Sequence, residues 1–180
     1  MTTVVLLLLV NGVLGAVDTL WYHEHRAALP RRPDRHRAEL RLHAGRDAVY
    51  AVLYGTIGWV AWQGAWAAVL AGLLAVEIVI TLADFVIEDR TRSLSPGERV
   101  LHSVMAIVYG AMLTRLVPEI AGWSGEPTGL VAAPGAVPAA LAITASVLAA
   151  GIALSGVRDA AAALRPAFVR AGVRHERTPV

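Results

Sequence analysis

Carboxylates and imidazoles recur at helical spacing within and beside the apolar stretches of this chain. Glu39 is followed four residues on by His43, and Glu98 by His102; seven residues beyond each histidine stands a tyrosine, Tyr50 or Tyr109. Asn11, Asp18 and Tyr22 form a series at intervals of seven and four, and Glu77, Asp84 and Glu88 repeat those intervals. Residues with such spacings share one face of an α-helix, so each series is a polar stripe. A carboxylate at membrane depth costs roughly 2.5–3.5 kcal/mol even on insertion scales, so stripes this acidic need partners. Asp84 and Glu88, one turn apart, repel unless a proton or a cation lies between them. Imidazoles beside carboxylates point to a metal ion.

The stripes come in two matching sets. Asn11, Asp18, Tyr22, Arg26 and Pro30 align at constant offset with Glu77, Asp84, Glu88, Arg92 and Pro96. Beyond an insertion of seven residues in the first loop, Glu39, His43 and Tyr50 align with Glu98, His102 and Tyr109. Two blocks in the same order, each running from the end of one apolar segment into the start of the next, read as a duplication. Each unit is a helical hairpin, so both copies keep one orientation and pair about an axis along the membrane normal.

Four helices offering carboxylates and histidines to one centre resemble the soluble di-iron and di-manganese bundles. There two helices each give a carboxylate and two each give a Glu-x-x-His motif. Here Asp18 and Asp84 would fill the first role, and Glu39 with His43 and Glu98 with His102 the second. The resemblance is one of architecture, and the four-residue step from Glu to His departs from the soluble motif, shifting and rotating the second ligand. The expected ligands are Asp18, Glu39, His43, Asp84, Glu88, Glu98 and His102, with His23 as an additional one. Asn11, Tyr22, Tyr50, Glu77, Tyr109, Arg26 and Arg92 are expected around them. A carboxylate-rich set with one histidine per metal suits two metal ions, iron first, manganese next, and zinc less well.

Each stripe also has a plainer explanation. Glu39 and Glu98 fit the first turn of a helix, where the macrodipole favours an acid. Asp18 and Asp84 could pair with the rim arginines Arg26 and Arg92. Tyr50 and Tyr109 could pack, and Glu77 opposite Asn11 could form a hydrogen-bonded pair or a proton path.

The elements that must carry these residues are apolar segments at roughly 3–22, 46–63, 65–87, 100–118 and 133–157, of about the length that spans a bilayer core. Of the 180 residues, 56% are hydrophobic. The fold class expected is an all-α integral membrane protein: a four-helix bundle built from two parallel helical-hairpin repeats, plus a fifth transmembrane helix. Residues 1–63 form the first repeat, 64–118 the second, 119–165 an outer loop with the fifth helix, and 166–180 a cytosolic tail. The first segment has no positive n-region and reads as a retained helix, not a signal peptide. Arg26, Arg31, Arg32, Arg35, Arg37 and Arg41 crowd one loop, Arg90, Arg92 and Arg99 another, and further arginines follow the fifth helix. The positive-inside rule then places the N-terminus outside and the C-terminus in the cytosol. Trp21, Trp59, Trp62, Trp66 and Trp123 read as an interfacial belt.

All 16 basic residues are arginine, which with abundant Ala, Gly and Val points to a GC-rich bacterial genome and the bacterial inner membrane. Cysteine is absent, which excludes disulfides, thiolate ligands, iron–sulfur clusters and cysteine nucleophiles. Neither a G-x-S-x-G elbow nor a phosphate-binding loop occurs, and nothing points to nucleic acid. The function expected is therefore a membrane-embedded di-metal protein, an oxidoreductase (hydroxylase, oxidase or desaturase) acting on a lipid-like or amphipathic substrate at the cytosolic leaflet. Its partners would be membrane lipids, that substrate and an electron donor. The alternatives are a small cation or proton transporter, with a polar path to the outer side, and a haem protein with His43 and His102 as axial ligands.

Overall fold

The computed structural model describes residues 1–165, so the expected cytosolic tail, 166–180, lies outside the described residues. In chain order α1 spans Thr2–Val17 and continues as a wide π-helical stretch, Asp18–Arg26. A short turn at Leu29–Arg31 leads to α2, Pro33–Thr56, followed by β1, Val60–Gln63, and α3, Ala65–Thr91. The chain then forms α4, Pro96–Ser124, β2, Gly129–Ala132, and α5, Ala139–Ala163.

Four helical stretches, Thr2–Arg26, Ala65–Thr91, Pro96–Ser124 and Ala139–Ala163, are long and apolar enough to cross a membrane. Their outward side chains are apolar: Ile107 and Leu154 are each 72% exposed and Val79 is 66% exposed. An apolar exterior around a polar interior is the arrangement a bilayer favours, since lipid solvates such side chains and leaves charged ones to partner inside.

The second helix differs from the expected span 46–63. Pro33, pre-set for the first helical position, starts it thirteen residues earlier, so Arg35, Arg37 and Arg41 are helical rather than in a loop. It ends at Thr56, and Val60–Gln63 forms instead a short antiparallel ladder with Gly129–Ala132. At the turn that follows, Gly64 has φ +58°, and a Cβ there would lie 2.5 Å from the Thr128 Cα. The third and fourth helices are longer than expected. α4 opens with a capping box: the Ser95 hydroxyl accepts from the Glu98 amide and the Ser95 amide donates to the Glu98 carboxylate, both at 3.3 Å. It then runs through Pro118 to Ser124. Trp62 is buried rather than interfacial.

The bundle is sorted along its length. Val5, Leu8, Leu53, Leu70, Met112 and Leu116 belong to one apolar core filling the half nearest the strands. The buried carboxylates and histidines of the described residues lie in the other half, from Glu77 to Asp159. α1 packs on α4, and α2 on α3 and, most extensively, on α5. Small residues permit that last approach: a Cβ on Gly156 would stand 2.8 Å from the Asp47 Cβ, and Ala142 lies against Gly58. The fifth helix, expected as an addition to a four-helix bundle, is thus integral to the packing around α2.

Candidate functional site

The wide turn that follows α1 decides which of its residues face inward. With α-helical pitch, Asp18 and Tyr22 would share a face and His23 would point elsewhere. Hydrogen bonds that skip an extra residue instead bring positions five apart into line, so Asp18 and His23 are both buried, 3.4 Å apart. Tyr22 is turned aside toward Gly97 and borders a small cavity of about 270 Å³ shared with Arg26, Arg92 and Glu98. Arg26 is exposed and lies over the Trp21 and Tyr22 rings, 6.0 Å from each centroid.

The other helices converge on that pair. His102 on α4 holds Asp18 through Nε2, at 3.2 Å, and faces Glu88 through Nδ1, at 3.6 Å. His43 on α2 faces Asp84 through Nε2, at 3.1 Å, and Asp159 of α5 through Nδ1, at 3.7 Å. Between the two lies His23, stacked on His43 with ring centres 4.6 Å apart and edge-on to His102 at 6.4 Å. His23 also reaches Glu88, at 3.4 Å.

Three arginines balance part of the negative charge. Arg92, in the connection between α3 and α4, donates to Oε1 of Glu39, Glu88 and Glu98 at 3.0, 2.7 and 2.6 Å. Burial works against its charge, yet hydrogen bonding to Glu98 and the fields of Glu39 and Glu88 raise its pKa above the ordinary arginine value. Arg46 pairs with Asp84 and Arg158 with Asp159, each at 3.1 Å. Asp18, Glu39, Asp84, Glu88, Glu98 and Asp159 nevertheless outnumber these arginines, and all six are buried. The His23 and His43 Nε2 atoms, Asp84 Oδ1 and Glu88 Oε2 are buried without a hydrogen bond among the described residues.

Two groups have the proximity a metal ion requires. Asp18, His23, Glu98 and His102 form one, and His23, Glu39, His43 and Glu88 the other; within each group one ligand atom per residue lies within 4.8 Å of all the rest. Of the residues expected as ligands, Asp84 alone falls outside both, held by His43 and Arg46. His23, expected only as an addition, is common to both. Asp159 is a contribution that sequence reasoning missed: its one visible signal is an acid at the end of an apolar helix, and only the packing of α5 on α2 carries it to His43.

Two turns deeper lies a second polar set. The Tyr50 hydroxyl donates to Glu77 Oε1 at 2.6 Å, as does the Thr81 hydroxyl at 2.8 Å. Tyr109 meets Tyr50 edge to face, with centroids 6.3 Å apart. Asn11 is buried in the same region. A cavity of about 730 Å³ joins this set to Asp18 and His102.

No known protein family, curated protein or solved structure matches the chain. The buried His, Asp and Glu groups, which could hold a metal ion, are thus what bears on its function.

Proposed function

We propose that this chain is a membrane-embedded di-metal protein, with Asp18, Glu98 and His102 holding one ion, Glu39, His43 and Glu88 the other, and His23 between them. The observation that carries the reading is the pair of ligand groups sharing His23, buried in a bundle of which four helical stretches are long and apolar enough to span a bilayer. Excess buried carboxylate supports it, because isolated charges in such surroundings are costly and a divalent cation offsets several at once. The Nε2 atoms of His23 and His43 and the Glu88 Oε2, which make no hydrogen bond among the described residues, are the lone pairs such an ion would take up. Coordination by carboxylates and imidazoles together suits iron best, then manganese, with zinc less suited.

The duplication belongs to the same reading. His43–Asp84 and His102–Asp18 occupy matching positions of the two aligned blocks, as do the packed pairs α2 on α3 and α4 on α1. Two helical hairpins, 1–63 and 64–118, would then enclose the centre about a two-fold axis along the membrane normal. The arginines at its mouth favour the cytosolic face for that end, in a bacterial inner membrane with the N-terminus outside.

The chemistry such a centre would supply is oxidation, hydroxylation or desaturation of a lipid-like substrate, with dioxygen as oxidant and an external electron donor. The bundle's own residues would orient the substrate and keep water out. A transporter is less well supported, because the apolar core around Leu8, Leu70 and Met112 closes the outer half. A haem would need the space between His43 and His102 that His23 occupies.

The test is metal analysis of the purified full chain by plasma mass spectrometry, with a His43→Ala, His102→Ala double variant alongside. Near-stoichiometric iron or manganese, lost in the variant, is the expected result. No retained metal after reconstitution with iron(II), manganese(II) or zinc(II) would sink the reading.

A further inference from the structure

The 730 Å³ cavity has two unlike ends and an apolar wall. At one end stand Asp18 and His102 of the proposed metal centre. At the other stand Asn11, Tyr50, Glu77 and Tyr109, about 10 Å away by the rise of α1 between Asp18 and Asn11. Its volume falls within the range of pockets that enclose small organic ligands.

Three features describe what would fit. The first is access: Leu20, Leu82 and Leu154 border the cavity and are also 62%, 58% and 72% exposed on the apolar exterior. A molecule reaches it from the bilayer, so its body is apolar. The second is room along the wall. Gly15, Gly110 and Gly151 line the cavity, and a Cβ on any of them would meet nothing within 4 Å.

The third is polarity at the deep end. Asn11 is 7% exposed, and its Oδ1 is buried with no hydrogen-bond partner among the described residues. The Tyr109 hydroxyl lies beside the Glu77 carboxylate and likewise makes no hydrogen bond of good geometry among the described residues. A buried polar atom left unpaired costs about 1–3 kcal/mol, so a ligand that pairs both atoms gains that much over one that does not. Asn11 Oδ1 can only accept, whereas the Tyr109 hydroxyl can donate. Both residues line the cavity, and a hydroxyl placed between them would donate to Asn11 and accept from Tyr109. The Glu77 carboxylate beside them repels a carboxylate or phosphate.

We propose that the cavity binds a neutral amphipathic molecule carrying a hydroxyl on a long apolar body, taken from the bilayer, with the hydroxyl held by Asn11 and Tyr109. The body lies along the glycine-lined wall toward Asp18 and His102. Its binding does not depend on metal. That the far end is the part that reacts rests on the di-metal reading above.

The experiment is a binding assay on the full chain in lipid nanodiscs with radiolabelled hexadecanol, competed by unlabelled hexadecanol, hexadecane, hexadecanoate or hexadecylamine. The expected result is that the alcohol competes about tenfold or more better than each of the others. Asn11→Leu and Tyr109→Phe should each erode the preference for alcohol over alkane, and Gly151→Leu should abolish binding. Circular dichroism and metal content are read on every sample to show that the bundle is intact. Equal competition by alkane and alcohol, preference for the amine or the acid, or an unchanged preference in both polar variants would overturn the proposal. Alcohol binding without any metal would sink the di-metal reading alone, and metal without alcohol binding would sink this one alone.

Discussion

The imidazole of His23 lies flat against that of His43, ring centres 4.6 Å apart and planes 8° from parallel. Those two side chains come from the π-helical end of α1 and from α2, and beyond them His102 completes a row of three buried rings. His23 thereby touches both groups of candidate ligands, so its removal should affect both metal positions where loss of His43 or His102 affects one. His23→Ala is expected to lower bound metal as far as the His43→Ala, His102→Ala double variant does, whereas either single variant retains about half. Plasma mass spectrometry on the four proteins checks this, and metal retained in His23→Ala would remove His23 from the site.

Arg92 is the counter-charge for three glutamates on three helices. Taking one partner from a buried ion pair leaves an uncompensated charge and typically costs about 3–5 kcal/mol. Arg92→Met should therefore destabilise the bundle by about 3 kcal/mol, the low end because its side chain retains some solvent contact. Arg92→Lys should recover only part, since an ammonium lacks the planar fork that engages several carboxylates at once. Thermal unfolding in detergent, followed by circular dichroism, measures both.

Asp159 faces the ring nitrogen of His43 opposite the one directed at Asp84. Carboxylates in this position orient a metal-binding imidazole and raise its basicity, and their loss commonly costs about 10–100-fold in metal affinity. Asp159→Asn should weaken metal binding within that range without abolishing it. Competition with a calibrated chelator gives the number, and unchanged affinity would make Asp159 a helix-packing residue only.

Gly156 marks the closest approach of α5 to α2, with the Asp47 Cβ where a new methyl group would lie. Overpacking of this kind costs about 1–3 kcal/mol. Gly156→Ala is expected to lower the unfolding temperature and, by pushing α5 outward, to reproduce part of the Asp159→Asn defect in metal affinity. Gly72→Ala, at a position with open space beyond it, serves as the neutral control.

Chelation offers a test that needs no substitution. A ligand bound only by the folded state stabilises it by mass action. Stripping metal from the wild type should lower its unfolding temperature, and the same treatment should leave the His43→Ala, His102→Ala protein unmoved.

What the sequence by itself determined is the identity of the polar interior. Asp18, Glu77, Asp84, Glu88, Glu98 and His102 stand on helical stretches apolar enough to cross a membrane, where the cost of solvating a charge in lipid forces each toward a partner, and they, Glu39 and His43 are all buried. Helical spacing also grouped them correctly along α2, α3 and α4, because a regular pitch is a local property. Tertiary structure decided the rest. The change of pitch after Val17 exchanged Tyr22 for His23, and no 3.6-residue pattern contains that change. The approach of α5 through Gly156 brought Asp159 to His43, and the placement of the α3–α4 connection chose Arg92 over its aligned counterpart Arg26. Asp84, placed among the ligands by its spacing, went to Arg46 because the two helices meet in that register. Each of these outcomes depends on how far one helix lies from another and at what rotation, quantities fixed by packing across the bundle and written in no single segment of the chain.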